Sequence, residues 1–276
     1  MKKKMMSTDF KKMKEKGEKF SFVTAYDYTM ASIVDESDCQ IILVGDSLGM
    51  VMLGYTTTTS VTMEDMIHHT KPVVKGAPNT FIISDLPFGS YNIDDSQAIY
   101  NSNRLIKETG CDAIKIEGGK EVVSKIEAMS KAGIVVIGHI GLTPQKVSQF
   151  GGFKVQGTDT ESALDLIESA KEIEAAGAIG IVIECVPSNV AKRITEEVSI
   201  PVMGIGAGPY VDCQVLVTQD LLGMYSDFKP KFVKHFANLR EEMVKGLNQF
   251  HTETLNGDFP TAEYSFNKEV TIGKLY

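Results

Sequence analysis

The sequence predicts an α/β fold, a single (β/α)₈ TIM barrel over residues 1–276, with a short polar tail from about residue 252. Three observations predict it. Short runs rich in Val and Ile recur along the chain. Segments between them have helical character and stop at glycine. The length of 276 residues suits one barrel, which needs about 250.

The runs are Phe20–Ala25, Ile41–Val44, Phe81–Ser84, Ala113–Ile116, Ile134–Gly138, Ile179–Ile183, Val202–Ile205 and Val215–Val217. They are apolar on both faces, as strands of a covered parallel sheet must be. The helical segments Asp94–Thr109, Gly119–Ala132 and Glu161–Ala176 are followed by Gly110, Gly133 and Gly177. Glycine there supplies a left-handed cap. Strands alternating with helices give an α/β fold, and a count of eight favours closure over an open sheet. A last helix is expected near Pro230–Gln249, and the tail beyond it covers surface or packs on a neighbouring subunit. Two connections are long, Leu48–Thr62 and Leu142–Thr160. Both follow strands, so both belong on one rim, and unstructured loops of that length are usually functional.

Composition narrows the function. Apolar residues make up 43% and charged residues 23%, as in a globular protein. The net charge of −8 argues against non-specific nucleic-acid binding. The four cysteines, Cys39, Cys111, Cys185 and Cys213, form no CxxC pair, which argues against a disulfide framework or a zinc site. No apolar stretch follows Lys2-Lys3-Lys4, so no signal peptide is expected. No run reaches the 18 or so apolar residues of a membrane span. A cytoplasmic location is expected.

The chemistry is written where the strands end. The second run leads into Asp46-Ser47, the third into Asp85, and the fourth into Lys115 and Glu117. The fifth leads into His139, the sixth into Glu184, and the seventh into Gly204-Ile205-Gly206-Ala207-Gly208. A barrel brings all of these to one rim. Any single Asp or Glu can be an ordinary cap or loop charge. Acids from several strands gathered in one pocket repel one another unless a cation relieves them. Asp46, Asp85 and Glu117 are the metal candidates, and an all-oxygen set suits Mg²⁺. Lys115 and Glu117, two apart on a strand, face the same way. Lys115 is open to three readings: a contact for substrate carboxylate, a counter-charge, or a Schiff base. Ser47 lacks a nucleophile elbow and reads as a hydrogen-bonding group. His139 is open as acid, base or neutral donor. Glu184, placed in a dry pocket away from the metal, would have a raised pKa and suit a general base. His68 and His69 are adjacent and read as structural or surface residues. The glycine-rich run after the seventh strand could cradle a phosphate, but it lacks the context of a dinucleotide fingerprint.

These residues resemble ketopantoate hydroxymethyltransferase, the 3-methyl-2-oxobutanoate hydroxymethyltransferase family. The matching segments are Thr24-Ala25-Tyr26-Asp27-Tyr28, Val44-Gly45-Asp46-Ser47-Leu48-Gly49-Met50 and Ser84-Asp85-Leu86-Pro87-Phe88. They continue with Lys115-Ile116-Glu117-Gly118-Gly119, Gly138-His139-Ile140-Gly141-Leu142-Thr143-Pro144-Gln145 and Gly151-Gly152-Phe153-Lys154-Val155-Gln156-Gly157. Glu184-Cys185-Val186-Pro187 and Gly204-Ile205-Gly206-Ala207-Gly208 complete the set. They occur in family order from about Thr8 to Phe266. The resemblance implies a barrel of the phosphoenolpyruvate/pyruvate type. It implies hydroxymethyl transfer from 5,10-methylenetetrahydrofolate to 3-methyl-2-oxobutanoate through a Mg-stabilised enolate. The products are 2-dehydropantoate, on the route to pantothenate and coenzyme A, and tetrahydrofolate. A homo-oligomer, commonly a decamer, is also implied. By position, Asp46 and Asp85 match metal ligands, and Glu117 a third acid at the metal, directly or through water. Ser47 and Lys115 match substrate contacts, His139 a pocket histidine, and Glu184 the proton acceptor. Departures at Thr56, Thr59-Ser60, Tyr210-Val211 and Ser226-Asp227 touch neither the expected metal nor the base. The rival readings are a lyase of the phosphoenolpyruvate mutase type and a non-catalytic barrel that senses keto acid and metal.

Overall fold

A computed structural model of the chain describes residues 2–225, 230–268 and 270. Its centre is a closed barrel of eight parallel strands in sequential order. They are β1 (Phe20–Thr24), β2 (Ile41–Val44), β3 (Phe81–Asp85), β4 (Ala113–Glu117), β5 (Val136–Gly141), β6 (Gly180–Glu184), β7 (Val202–Ile205) and β8 (Cys213–Leu216). Closure comes from β8 pairing with β1, Phe20 opposite Cys213. The helices are α1 (Asp9–Lys16), α2 (Tyr28–Glu36), α3 (Leu48–Val51), α4 (Met63–Gly76), α5 (Asp95–Thr109), α6 (Val123–Lys131), α7 (Val147–Phe150), α8 (Thr160–Ala175), α9 (Ser188–Glu197), α10 (Thr218–Leu221) and α11 (Leu239–Asn256). Among the described residues no helix is long and apolar enough to cross a membrane.

Strand alternation fills the barrel. Phe20, Phe22, Ile41, Leu43, Phe81, Ile83, Ala113, Ile137, Val182, Met203, Cys213 and Val215 form one buried cluster. Each strand contributes every second residue to it. The same parity, carried towards the strand ends, turns Asp85, Lys115, Glu117, His139 and Glu184 inwards above that apolar floor. Sequence alternation thus decides both what fills the barrel and which charged groups meet at its rim.

The N-terminal helix α1 seals the cluster at its other end, a role the apolar runs did not reveal. Phe10 is fully buried and meets the rings of Phe81 and Phe20 edge-on, at 5.1 and 6.1 Å between centroids. Phe10→Ala is expected to cost about 3–5 kcal/mol of stability, read as a lower urea midpoint. A loss under 1 kcal/mol would mean that α1 does not seal the barrel.

Several boundaries move, for identifiable reasons. The fifth strand starts at Val136 rather than Ile134, because the Ile134 N–H closes the end of α6 on the Met129 carbonyl. The shift extends the strand past His139. The two long connections are not structureless. The first contains α3 and a short 3₁₀ turn, Thr58–Ser60, and the second contains a 3₁₀ turn, Pro144–Lys146, and α7. The two 3₁₀ turns pack against each other. Of the glycine-terminated helices, α5 ends at Thr109 as expected and α6 and α8 end one residue earlier, at Lys131 and Ala175, with Gly110, Gly133 and Gly177 all at positive φ.

Chain contacts divide the molecule into two units, Met1–Thr218 with Lys229–Val233, and Gln219–Phe228 with Lys234–Tyr276. The first holds the barrel. In the second, the expected helix over 230–249 is corrected: α11 starts at Leu239 and continues to Asn256, capped by Gly257. Its start is delayed because the N–H groups of Phe236, Leu239 and Arg240 bond to the carbonyls of Leu221, Leu222 and Gly223. Those donors are spent on a loop rather than on a helical turn. The end lies later because Thr252–Asn256, assigned above to the tail, carries no helix breaker before Gly257. Beyond it, Phe259 packs between Phe250 and Tyr264. The departure at Ser226-Asp227 lies outside the described residues.

Candidate active site

The inward groups converge at the carboxyl ends of the strands. Lys115 Nζ lies 3.1 Å from Asp85 Oδ1, 3.5 Å from Glu117 Oε1 and 3.1 Å from His139 Nδ1. His139 Nδ1 is also 3.2 Å from Glu117 Oε1, and its Nε2 is 3.4 Å from Glu184 Oε2. The Asp46 amide donates to Asp85 Oδ2 at 3.1 Å. Ser47 Oγ lies 2.8 Å from the Tyr26 hydroxyl. Six of the seven expected site residues are therefore in one connected group, and Ser47, next to Asp46 in the chain, bonds to Tyr26. Asp46, Asp85, Lys115, Glu117 and His139 are all buried. Glu184 is not: its side chain is 16% exposed, against 2% for Glu117. The expectation of a dry pocket around it is corrected, because β6 ends at this residue and the barrel floor does not reach it.

Burial sets the protonation of the cluster. Burial, then the charges of Glu117 and Asp85, push the Asp46 carboxyl well above its ordinary value. Burial also raises Asp85, against the pull of Lys115. Burial would raise Glu117 too, but Lys115 and His139 outweigh it and hold that carboxyl at about 2. Burial opposes the charge on Lys115, yet Asp85 and Glu117 raise its pKa. The acids 3.1 and 3.5 Å away favour its charged form, against a Schiff-base role, which needs the free amine. Lys115 is the counter-charge of the cluster. Burial and Lys115 disfavour protonated His139, but Glu117 and Glu184 raise it to about 9. Nδ1 then donates to Glu117, leaving an N–H on Nε2 towards Glu184. The distance there is short, but the alignment is not that of a hydrogen bond.

A divalent metal fits this chemistry. Two buried carboxylates with raised pKa values lie side by side. Asp85 Oδ1 is buried without an aligned hydrogen bond, although Lys115 is near. Glu117 is committed otherwise: Oε1 faces Lys115 and His139, and Oε2 accepts from the Gln145 amide at 3.1 Å. Among the described residues no three His, Cys, Asp or Glu side chains by themselves enclose an ion. Mg²⁺ needs no such cage, since one or two carboxylates, water and substrate complete its octahedron.

Two residues were missed by sequence reasoning. Gln145 stood in a matched motif without a role, and its side chain lies among the acids. Its Nε2 donates to Asp46 Oδ2 at 2.8 Å and to the Leu86 carbonyl at 3.0 Å. Tyr91 carried no signal at all, yet its hydroxyl is 2.5 Å from Gln145 Oε1 and 3.0 Å from the Glu117 carbonyl. Other expectations resolve as packing. His69 Nδ1 bonds to the Tyr26 carbonyl at 2.7 Å, and His68 is exposed. The glycines after β7 make room for neighbours rather than for a phosphate. A Cβ on Gly206 would lie 2.7 Å from the Phe232 ring, and one on Gly208 2.5 Å from Ser188. All four cysteines are free.

A cavity of about 190 Å³ lies between the ends of β4 and β5 and helix α8, and none of the seven site residues lines it. Its wall includes Gly118, Gly119, Ile140, Gly141, Thr143, Phe150, Gln156 and Leu166. Gly141 is fixed there by sterics. It has φ of +91°, and a Cβ would meet the Glu184 carbonyl at 2.4 Å. Gly141→Ala should therefore displace the β6 end and lower activity at least about 10-fold, given how steeply rates fall with misplacement. Full activity in a steady-state assay would refute the steric reading.

A closed (β/α)₈ barrel whose strand ends gather acids, a lysine and a histidine defines an enzyme of the barrel class. Residues 4–262 match the ketopantoate hydroxymethyltransferase family, and the chain belongs to it. It is 52% identical over its whole length to the 3-methyl-2-oxobutanoate hydroxymethyltransferase of Heliobacterium modesticaldum, covering 100% of both. It is 54% identical to that of Enterococcus faecalis, covering 97% of this chain and 98% of the relative. Solved structures share the fold at low identity. Phosphonopyruvate hydrolase, solved with oxalate and Mg²⁺, aligns with a TM-score of 0.58 at 13% identity, over 94% of this chain and 93% of that one. A 2,3-dimethylmalate lyase of the PEP mutase/isocitrate lyase superfamily aligns at 0.57 and 14% identity, over 95% and 92%.

Proposed function

We propose that this enzyme transfers a hydroxymethyl group from 5,10-methylenetetrahydrofolate to 3-methyl-2-oxobutanoate. The products would be 2-dehydropantoate and tetrahydrofolate, with one water consumed. The observation that carries this reading is Glu184, poised beside a buried carboxylate cluster and still open to a substrate. The activity itself comes from the whole-length relatives that bear its name. A place in pantothenate and coenzyme A synthesis, in the cytoplasm and as a homo-oligomer, belongs to the same proposal. We also propose that the chain works as one catalytic domain, since every site group comes from the barrel unit.

Asp46 and Asp85 would hold Mg²⁺, with Glu117 acting through water. Bound there, the ion would supply a Lewis acid to the keto acid's ketone and carboxylate oxygens. The phosphonopyruvate hydrolase, with oxalate and Mg²⁺ in its structure, supports such chemistry on this fold. Lys115 balances the acids, and Ser47, held by Tyr26, would bond to the substrate. Glu184 takes the C3 proton onto its carboxylate, and the electron pair of the broken C–H bond moves towards the ketone oxygen. Water would first take the methylene carbon off both folate nitrogens as formaldehyde, the nitrogens keeping the bond pairs and gaining water's two protons. C3 then bonds to that carbon, and its oxygen takes the proton held by Glu184 to become the product's hydroxyl. The packed 3₁₀ turns of the two long connections would keep water out while the bond forms.

The test follows the C3 proton by NMR in D₂O with Mg²⁺ and 3-methyl-2-oxobutanoate, with and without tetrahydrofolate and formaldehyde. Metal-dependent exchange, and 2-dehydropantoate once the donor is added, is expected. Exchange without product would overturn the folate donor. No exchange from folded, metal-loaded protein would overturn the reaction.

A further inference from the structure

We propose that Gln145 is the positioning residue that presents the metal-holding carboxylates, and that through it the loop after β5 becomes ordered together with the metal. The inference rests on the Mg²⁺ reading above and goes beyond it.

Gln145 is 4% exposed and belongs to the 3₁₀ turn Pro144–Lys146, outside any strand. Every polar group of its side chain is committed. Both Nε2 protons are used, one on Asp46 Oδ2 at 2.8 Å and one on the Leu86 carbonyl at 3.0 Å. The acceptor Oε1 faces the Tyr91 hydroxyl at 2.5 Å. The backbone N–H donates to Glu117 Oε2 at 3.1 Å. One residue thus touches two of the three acids, and the third is tied on through the Asp46 amide to Asp85 Oδ2.

The amide can face only one way. Turned over, Oε1 would oppose the Asp46 carboxylate and the Leu86 carbonyl, placing acceptor against acceptor in a buried site, which is costly. Tyr91 holds it in the productive orientation by donating to Oε1. The bond from Nε2 fixes the rotation of the Asp46 carboxylate. Groups that orient metal ligands in this way usually matter 10- to 100-fold in affinity.

The position of Gln145 adds a consequence. Its 3₁₀ turn packs on the turn Thr58–Ser60 of the loop after β2, and the adjoining residues Thr143 and Lys146 line the side cavity. A metal that holds Asp46 in place also holds Gln145. Metal binding should therefore order the loop that walls the cavity before any substrate arrives.

The experiment uses the full chain and Mn²⁺ alone, counted by the EPR signal of the free ion. Hydrogen exchange is followed in parallel over residues 142–157. Gln145→Ala is expected to weaken Mn²⁺ binding by about 10- to 100-fold and to abolish the metal-induced protection seen in wild type. Tyr91→Phe keeps the ring but releases the amide, and should weaken Mn²⁺ binding by a smaller factor. Gln145→Glu, which keeps the shape but not the donor, should not rescue the protection. Equal Mn²⁺ affinity in wild type and both truncating variants, whatever their melting temperatures, overturns the inference alone. No Mn²⁺ binding by wild type overturns the metal reading and the inference with it. Should Gln145→Ala fail to fold, Tyr91→Phe decides: wild-type affinity and protection there overturn the proposal.

Discussion

Asp46→Asn is expected to lower kcat/KM by about 10³-fold or more, yet to make the metal-stripped protein more stable at pH 8. The catalytic loss follows from removing a charge that would hold the Lewis acid, a contribution of the size seen for focused electrostatic groups. The stability gain follows from the sign of the shift. Burial, then Glu117 and Asp85, raise the Asp46 carboxyl well above its ordinary value of 3.8. A carboxylate raised on folding opposes folding wherever the pH lies above its folded value, because the unfolded chain ionises it more cheaply. Asparagine removes that opposition and can still accept from Gln145. The gain should be largest at pH 8, where burial and the neighbouring acids most oppose the charge on Asp46. It should shrink as pH falls through the folded pKa and vanish near pH 4. Urea unfolding with EDTA at pH 4, 6 and 8 reads it. Saturating Mg²⁺ should reverse the order, since only wild type gains binding energy from the ion. A variant less stable than wild type at pH 8 in EDTA would show that the acids are not held under strain.

The barrel was legible because its signals are local and repeated. Ile41–Val44 and Val202–Ile205 begin and end in the structure where their apolar runs do. The site was legible for the same reason, since strand parity carries Asp85, Lys115, Glu117 and His139 inwards once the strands are placed. What escaped depends on contacts distant in sequence. Gln145 acts because a turn carries it to Asp46, 99 positions away, and no periodicity encodes that reach. Tyr91 acts through the Glu117 carbonyl and through Gln145, and a lone tyrosine in a loop has no pattern. The exposure of Glu184 was misjudged because strand order places it at the rim but does not say how high the walls rise. The start of α11 was misjudged because backbone donors at 236–240 find acceptors at 221–223, a pairing that composition does not show.

Glu184→Gln is expected to slow exchange of the keto acid's C3 proton by about 10²- to 10⁴-fold, the usual worth of a general base. The amide matches the carboxylate in shape but cannot accept the proton. Keto acid binding, followed by calorimetry with Mg²⁺, should change less than about 3-fold, since the groups proposed to hold the substrate lie elsewhere. His139 makes the assignment sharper. Glu117 and Glu184 push its pKa up to about 9, which favours the protonated, donating form over a role as base. Its Nε2, 3.4 Å from Glu184 Oε2, can instead steady the carboxylate that must receive a proton. His139→Ala should therefore slow exchange by less than Glu184→Gln, because it leaves a base in place but poorly held. It also uncovers Glu117, and so should lower stability where Glu184→Gln does not. Were His139→Ala to abolish exchange while Glu184→Gln left it intact, the two roles would have to be swapped. The protonation of the cluster would then need a strong pull from the metal on the histidine. A titration of His139 by NMR with and without Mg²⁺ would show that pull directly, as a pKa lowered from about 9 towards neutrality when the ion binds.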